Sequence, residues 1–371
     1  MSAAAASGQV AAIPEAAAAH SGPQPGTATL PRVAAVLGPT GSGKTALAVR
    51  LAGLGLPIEV VCCDATQLIA GLDAGTAKPS AAERAAVPHW LIDATPWQRP
   101  IDAAQYATLA NEAIADIDAR RRWPLLVGGT GLYHRALVQG LADIPQVERA
   151  LRAALAAEAE VRGIEALWRE LQEVDPDYAA ATPPTNRQRV LRALEVYRAT
   201  GRAFSAWHRD AAGTPSVRSL DFVLLAERDW LRDRLAVRAA LMVPPLLVEA
   251  ATLLAEGVAT ETPALKALGY RRAMAEAASL QRGETTAAEA SRAFGEALTA
   301  DHRAYARRQR TWFGRLEGAV WLDAQILATD ALQPAQSVAP ACEARPDQDG
   351  AAPRLGSLEE IAARLRAWFE G

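Results

Sequence analysis

The chain has 371 residues, of which 50% are hydrophobic and 22% are charged, so its length predicts roughly two domains with a sizeable core. The formal net charge of −3 excludes a chain-wide attraction to nucleic acid, and any polyanion site must come from local clusters of basic residues. Three cysteines, two of them adjacent at Cys62 and Cys63, exclude a disulfide framework and favour a reducing compartment.

The N-terminal segment has the composition of a tail. Its first thirty residues are rich in alanine, glycine, proline and serine and contain no arginine or lysine. They lack the features of a signal peptide and of a mitochondrial address. Residues 1–31 are therefore predicted to be disordered. Because no run approaches about 18 consecutive apolar residues, we expect a cytoplasmic protein that does not enter membranes.

A phosphate-binding loop follows the first predicted strand, Val33–Leu37, and precedes a helical pattern. Its glycines let successive backbone N–H groups turn toward one anion, Lys44 supplies a point charge, and the Thr45 hydroxyl can hold Mg²⁺. Only three of the 39 basic residues are lysines. The lysine in this loop is therefore not explained by the overall composition of the chain. The predicted phosphate ligands are Gly38, Pro39, Thr40, Gly41, Ser42, Gly43, Lys44 and Thr45.

Strand-like apolar runs alternate with longer helical patterns. The runs are Val33–Leu37, Ile58–Cys63, Leu125–Val127 and Phe222–Leu225. This alternation predicts an α/β fold with a mostly parallel sheet covered by helices. Ligands of such folds bind at the carboxyl ends of the strands. Asp64 and the segment Gly128-Gly-Thr130 directly follow two of the runs, so both are expected beside the phosphate loop.

Asp64 has two possible roles on this evidence. It can be a second Mg²⁺ ligand of the ATPase type, or a general base that faces the phosphate loop. An ATPase or kinase would also need a water-positioning residue and cations on the transferred phosphoryl group. Spacing alone does not assign that set, so both roles stay open at this point.

Helical patterns dominate the rest of the chain. An Ala-, Glu- and Arg-rich stretch predicts a helical insertion, and a second helical stretch is followed by a linker and a last amphipathic helix near Leu358–Phe369. The predicted organisation is a P-loop core at 32–137, the insertion at 138–187, the continued core with basic helices at 188–328, and the linker with the C-terminal helix at 329–371.

Two helical faces cluster polar and basic residues. Gln188, Arg192 and Glu195 share one face by their i, i+4 and i+7 spacing. The stretch 301–316 carries five arginines and interleaves them with Tyr305 and Trp312. Such interleaving is typical of proteins that grip phosphate backbones and stack unpaired bases, although either face alone is also typical of a solvated helix surface. The five histidines show no metal-ligand spacing.

Taken together, these motifs resemble one family, the tRNA dimethylallyltransferases, also called tRNA isopentenyltransferases. The matching segments follow the family's order between about residues 32 and 323. They are Gly38–Thr45, Asp64 with Gln67, Gly71–Pro79, Val87–His89, Leu126–Tyr133, Gln188–Glu195, Leu268–Tyr270 and Tyr305–Phe313.

The resemblance implies a P-loop NTPase-like core and a defined reaction. N6 of the adenosine on the 3′ side of the anticodon, in tRNAs that read codons starting with U, would attack C1 of dimethylallyl diphosphate. Lys44 and a Mg²⁺ ion on Thr45 would stabilise the leaving diphosphate, and Asp64 would take the proton of the amine. Thr130 would lie near the reacting centre, and the adenosine would be flipped out of its loop.

The implied partners are the tRNA anticodon stem-loop and dimethylallyl diphosphate, with Mg²⁺ as the cofactor, and a monomer is expected. By the same resemblance the insertion and the basic helices would bind tRNA. The implied tRNA-contacting residues are Asp64, Ala65, Thr66, Gln67, Gln188, Arg189, Val190, Leu191, Arg192, Lys266, Gly269, Tyr270, Arg271, Arg307, Arg308, Gln309, Thr311 and Trp312.

The sequence departs from the family pattern at several positions. Ala65 and Ile69 stand where the family usually has serine and tyrosine, Asn186 replaces an aspartate, and Leu246 replaces a glycine. Two other functions share part of the pattern. An adenylate isopentenyltransferase has the P-loop core but modifies a free nucleotide and has little use for the helical insertion. A nucleotide- or RNA-binding protein without catalysis is the third alternative.

Overall fold

A parallel sheet organises the protein, seen in a computed structural model that describes residues 30–210, 214–329 and 354–371. Its strands, in spatial order, are β4 (His89–Trp90), β2 (Ile58–Cys62), β6 (Trp123–Gly128), β1 (Arg32–Leu37), β7 (Arg218–Leu225), β8 (Val320–Asp323) and β9 (Arg354–Leu355). All neighbouring pairs are parallel. Two further short strands, β3 (Ile69–Ala70) and β5 (Thr95–Pro96), pair with each other.

The four predicted strands and the parallel sheet are confirmed. Each run is continuously apolar because helices cover both faces of the sheet. Alternate residues of β1 show this, since Ala34 and Val36 belong to one apolar cluster while Ala35 and Leu37 belong to another. The two-residue edge strands carry no sequence pattern of their own. The predicted disordered tail and most of the predicted linker lie outside the described residues.

The helices around the sheet begin with α1 (Lys44–Gly53), α2 (Ala81–Ala86), α3 (Ala103–Ala119) and α4 (Gly131–Val138). The first cluster packs α1 and the last helix, α14 (Leu358–Glu370), on one face of the sheet. The second cluster packs α3 and α4 on the other face. A short helix, α13 (Ala324–Thr329), follows β8.

A separate group of five helices corresponds to the predicted insertion. It comprises α5 (Arg149–Arg162), α6 (Ile164–Val174), α7 (Pro176–Ala180), α8 (Arg187–Thr200) and α9 (Phe204–Asp210). Their buried residues form a cluster of their own, with Leu155, Leu171 and Leu194 near its centre. The predicted boundary at residue 187 falls at the first residue of α8, whereas the structure packs the whole of α8 against this cluster. The helical group therefore continues to Asp210.

Three long helices form the remaining layer, namely α10 (Arg228–Ala255), α11 (Tyr270–Gln281) and α12 (Ala287–Phe313). A third apolar cluster joins α10 to α11 and α12. By length and composition alone α10 could cross a membrane, because an 18-residue window has a mean hydropathy of 1.6. The sequence predicted no such stretch. In the structure 33% of this window is buried, and the packed face of α10 contributes Ala239, Val243 and Leu246 to the third cluster.

The C-terminal helix α14 is confirmed and is part of the core. Ile361 and Leu365 are fully buried. The indole Nε1 of Trp368 donates a hydrogen bond to the Val33 carbonyl at 2.9 Å, and Arg32 Nη1 donates to the Trp368 carbonyl at 2.8 Å. These contacts attach the end of the chain to its first strand.

We expect Leu365→Ala to lower the free energy of unfolding by about 2–5 kcal/mol, because it leaves a cavity in the core. Arg366→Ala is the matched control, since that side chain is exposed on the same turn and its loss should change stability by less than about 0.5 kcal/mol. Urea denaturation measures both. Equal midpoints for the two variants would show that α14 does not contribute to the stability of the sheet.

Candidate active site

A cavity of about 680 Å³ opens at the carboxyl ends of β1, β2 and β6. All three lysines of the chain line it. The charged side chains in its wall are Lys44, Lys78, Arg234, Arg238, Lys266 and Arg308, against Asp64 and Glu83. Even with Lys78 paired to Asp73 and Asp93, the cations outnumber the carboxylates. The cavity is therefore built for an anion.

The predicted phosphate loop joins β1 to α1 and forms one end of the cavity. Gly43, the residue before α1, has φ of 94°, a left-handed value that glycine adopts without strain. Lys44 Nζ donates to the carbonyls of Gly38 at 3.0 Å and Pro39 at 2.8 Å. Burial lowers the pKa of Lys44 to about 8, against an opposing contribution from Asp64, and the Arg238 charge lowers it further. A bound anion would stabilise the charged form.

Two arginines on α10 complete this end of the cavity. Arg234 Nε donates to the carbonyl of Gly41 at 3.0 Å, so its guanidinium lies against the phosphate loop. Arg238 lies one turn further along, and its buried Nε has no hydrogen-bond partner among the described residues. Burial lowers the pKa of Arg238, partly offset by Asp64. A buried, unpartnered guanidinium nitrogen is costly, and an anionic ligand would satisfy it.

Asp64 faces the same cavity from the end of β2. Its Oδ1 accepts hydrogen bonds from the backbone N–H of Thr66 at 3.0 Å and from the Thr66 hydroxyl at 2.8 Å. Thr130 lies beside it, because its hydroxyl accepts from the N–H of Ala65 at 2.9 Å. The structure thus places Asp64, Thr130 and the phosphate loop together, as the sequence predicted.

The glycines after β6 allow α12 to pack against the phosphate loop. A Cβ on Gly129 would lie 2.2 Å from Gln309 Nε2, and one on Gly131 would lie 2.0 Å from Trp312 Nε1. The Gln309 amide donates to the Gly129 carbonyl at 2.9 Å and accepts from the Thr40 N–H at 2.8 Å. Gln309 therefore joins two loops of the site. Neither Gly129 nor Gly131 leaves room for a side chain.

Several residues expected to contact tRNA are buried instead. Val190 and Tyr270 are fully buried, and Gln309 is 4% exposed with both ends of its amide already paired. Their side chains support the fold of the site and are not available to an RNA surface. By contrast, Gln188, Arg189, Lys266, Arg271, Arg307, Arg308 and Thr311 are exposed. Lys266 and Arg308 also line the cavity, whereas Gln188–Arg192 do not.

Two departures from the family pattern fall in one apolar cluster. Ile69 is 5% exposed and Leu246 is fully buried, and both belong to the cluster of α10, α11 and α12. Relative to the family's usual tyrosine and glycine, Ile69 removes side-chain volume from this cluster and Leu246 adds it. Restoring a tyrosine at 69 would therefore require the cluster to repack.

Sequence reasoning missed Arg234, Arg238 and His302 as cavity residues. The four-residue spacing of the two arginines on a predicted helix was a usable signal, but no motif marked it. His302, one of the histidines that show no metal-ligand spacing, is 3% exposed and lines the cavity. Burial lowers its pKa to about 4, and the nearby Arg238 charge adds to this effect, so the imidazole is neutral at pH 7. Its position depends on how α12 packs, which the sequence does not reveal.

The residues present fit a magnesium ion only if the ligand supplies most of its oxygens. No cluster of three or more His, Cys, Asp or Glu suited to a metal occurs among the residues that the structure describes. Thr45 and Asp64 both line the cavity and offer the hard oxygen donors that Mg²⁺ prefers. Magnesium commonly binds through one or two protein oxygens together with phosphate oxygens of the ligand. That donor set matches this cavity.

The sequence model of a known family, described as IPP transferase, matches residues 67–316. A tRNA dimethylallyltransferase of Methylibium petroleiphilum is 46% identical over 290 residues, which cover 76% of this chain and 86% of the relative. A tRNA dimethylallyltransferase 1 of Syntrophotalea carbinolica is 40% identical over 295 residues, covering 79% of this chain and 91% of the relative.

Solved structures give the same result. The tRNA isopentenylpyrophosphate transferase of Bacillus halodurans superposes with a TM-score of 0.59 at 31% identity and covers 91% of this chain and 97% of its own. A eukaryotic dimethylallyltransferase acting on tRNA superposes with a TM-score of 0.65 at 24% identity, covering 80% of this chain and 75% of its own. The second likeness concerns the fold alone.

We expect pyrophosphate binding to depend on the charge of Lys44. Because the Lys44 pKa is lowered to about 8, the free site loses this charge as pH rises through 8. Lys44→Arg keeps a charged guanidinium throughout, while the titration of the ligand is common to both proteins. Calorimetry without divalent metal should therefore show the ratio of wild-type to variant Kd rising by up to about tenfold per pH unit above 8. A ratio that stays constant from pH 7 to 10 would contradict the assignment.

Proposed function

The chain belongs to the IPP transferase family, and we propose that it transfers a dimethylallyl group from dimethylallyl diphosphate to N6 of the adenosine 3′ to the anticodon. The substrates are tRNAs that read codons starting with U, and diphosphate is released. The observation that carries the proposal is one cavity that joins a cationic phosphate site to the carboxylate of Asp64.

Lys44, Arg234 and Arg238 act on the leaving group. As the bond between N6 and C1 forms, the C1–oxygen bond breaks, and its electron pair leaves with the diphosphate. The negative charge that develops there lies against these three cations, of which Arg238 has a buried Nε and Arg234 is exposed. Charge interactions shielded from bulk water are stronger than those in water. This role accounts for a phosphate loop without the water-positioning and base residues of a phosphoryl transferase.

Asp64 accepts the proton that N6 must lose. Thr66 holds Oδ1 with two hydrogen bonds, which fixes the carboxylate. We assign the second oxygen, Oδ2, as the acceptor of the proton. We assign to Thr130, whose hydroxyl accepts from the N–H of Ala65 next to Asp64, the role of orienting the exocyclic amine.

A Mg²⁺ ion would be held by the Thr45 hydroxyl together with diphosphate oxygens. When bound, it supplies further positive charge to the leaving group.

The RNA would be bound by exposed basic side chains around the cavity. Arg307 and Arg308 lie on α12, and Arg308 also reaches the cavity wall and stacks over Tyr305 at 5.6 Å from the ring centroid. Lys266 ends a short 3-10 helix, Pro263–Lys266, that precedes α11, and Arg271 lies in the first turn of α11. Such surfaces grip phosphates and stack unpaired bases. We also propose that the protein is a cytoplasmic monomer.

The two alternatives have less support. An enzyme for free adenine nucleotides has no use for the α5–α9 group or for the exposed arginines of α12. The named relatives are tRNA enzymes at 40–46% identity over about four fifths of this chain. A binding protein without catalysis would not need Asp64 held at the phosphate site. The tRNA transferase is therefore the function that we propose.

Asp64→Asn should lower kcat by roughly 10²–10⁴-fold, because the amide cannot accept the proton, yet leave dimethylallyl diphosphate binding nearly unchanged. Single-turnover transfer and equilibrium binding measure the two effects. Glu83→Gln is the matched control, since it removes the other carboxylate of the cavity wall. The role of Asp64 as base is excluded if Asp64→Asn retains more than about a tenth of wild-type turnover.

The double variant Arg307→Ala with Arg308→Ala should weaken tRNA binding and reduce the log–log salt slope by roughly one unit per lost phosphate contact. Arg292→Ala is the control on the same helix, because that side chain is 71% exposed and paired with Glu296. Filter binding across a salt series gives the slopes. Identical slopes for the double variant and the wild type would show that this face does not bind phosphates.

A further inference from the structure

One wall of the cavity is a loop that two side chains hold from outside. Gly75, Thr76, Ala77 and Lys78 line the cavity. Glu249, a half-buried residue of α10, accepts hydrogen bonds from the N–H groups that precede them on this loop. The distances to its carboxylate are 3.1 Å from Asp73 N and 2.7 Å from Ala74 N.

Tyr270 extends this attachment. Its hydroxyl donates to Glu249 Oε1 at 2.7 Å and accepts from Gly75 N at 3.1 Å. A Cβ on Gly75 would lie 2.3 Å from the Tyr270 ring, so the ring and the loop backbone are in direct contact. Glu249 and Tyr270 thus engage three consecutive N–H groups of the loop. We call these two residues the loop clamp.

The loop clamp also fastens two walls of the cavity to each other. Tyr270 is fully buried and begins α11 directly after Ala267 and Leu268, which line the cavity. Because its hydroxyl reaches Gly75, the tyrosine fixes the separation of this segment from the loop. The sequence had assigned Tyr270 to tRNA contact, a role that its burial rules out.

The loop in turn fixes a side chain beside Asp64. Gln67 Nε2 donates to the carbonyl of Ala77 at 3.1 Å, and the Cys62 thiol donates to Gln67 Oε1 at 3.6 Å. Ala77 has φ of 48°, a left-handed conformation that costs energy in a residue with a Cβ and persists only where the surroundings impose it. The orientation of the Gln67 amide therefore depends on a strained residue, Ala77, that follows the three N–H groups bound by the loop clamp.

We propose that Glu249 and Tyr270 are positioning residues that hold this loop so that the Ala77 carbonyl orients the Gln67 amide for the acceptor adenosine. The inference rests on the proposed function. In this proposal the loop clamp organises only the end of the cavity that receives the adenosine. The diphosphate end is fixed by other contacts, namely those of Lys44 and Arg234 with the phosphate loop.

Tyr270→Phe removes two hydrogen bonds of the clamp while keeping the ring. Each bond is worth roughly three- to tenfold, so kcat/KM for an anticodon stem-loop should fall about tenfold or more. The KM for dimethylallyl diphosphate should stay within about twofold. Thr252→Ala is the control on α10, since it removes only an exposed hydroxyl that bonds its own helix, and it should change neither parameter. If Tyr270→Phe lowers only kcat, measured at saturating RNA, and leaves the KM for the stem-loop unchanged, the role of Tyr270 is structural and the inference is overturned.

A double-mutant cycle tests whether the clamp acts through Gln67. In a Gln67→Ala background, Tyr270→Phe should cost less than about twofold further, whereas fully additive losses would overturn the inference. Glu249→Gln keeps an oxygen that accepts from the loop and should retain more activity than Glu249→Ala.

Hydrogen exchange separates this inference from the proposed function. Tyr270→Phe should accelerate amide exchange at residues 73–78 at least tenfold, whether or not the wild type modifies RNA. Unchanged exchange there would overturn the clamp itself. A wild type that exchanges as expected but transfers no prenyl group to RNA would contradict the proposed function and leave the clamp standing.

Discussion

Lys44, Arg234 and Arg238 lie in one cavity. Burial lowers the pKa of Lys44 and of Arg238, the Arg238 charge lowers the pKa of Lys44 further, and the Arg234 charge lowers that of Arg238. Like charges are expensive to hold together out of water, and this arrangement is stable only because the surrounding backbone is fixed. Asp64 offsets part of the repulsion. A polyanionic ligand would offset the rest. The site is therefore organised before its ligand arrives, as stabilisation of a leaving anion requires.

Two long helices, α10 and α12, maintain that organisation. Helix α10 carries Arg234 to the phosphate loop and, nearer its other end, Glu249 to the loop at residues 73–75. Helix α12 brings Gln309 to the phosphate loop and to Gly129. Each helix thus connects parts of the site that are far apart in sequence. A change in the packing of either helix would shift the phosphate site together with its neighbours.

The sequence predicted those parts of the site whose signals are local. The phosphate loop, the strand before it and Asp64 are consecutive patterns of apolar residues, glycine and charge, and parallel strands place their ends at one edge. Arg238, Gln309 and Tyr270 were missed or misassigned because their roles depend on which helix face meets the site. Tyr270 and Gln309 lie next to exposed basic residues in sequence, yet tertiary packing buries both. The placement of α8 with α5 and α6 likewise follows from contacts between distant segments.

The proposed transfer requires one cavity to join a diphosphate site to a carboxylate that activates an adenosine of tRNA. The most direct measurement mixes the full-length protein with labelled dimethylallyl diphosphate, Mg²⁺, an anticodon stem-loop and AMP in one reaction. The account predicts label in the stem-loop, on N6 of the adenosine 3′ to the anticodon, and none in AMP. Label in AMP, or no transfer to either acceptor while dimethylallyl diphosphate still binds, would contradict it.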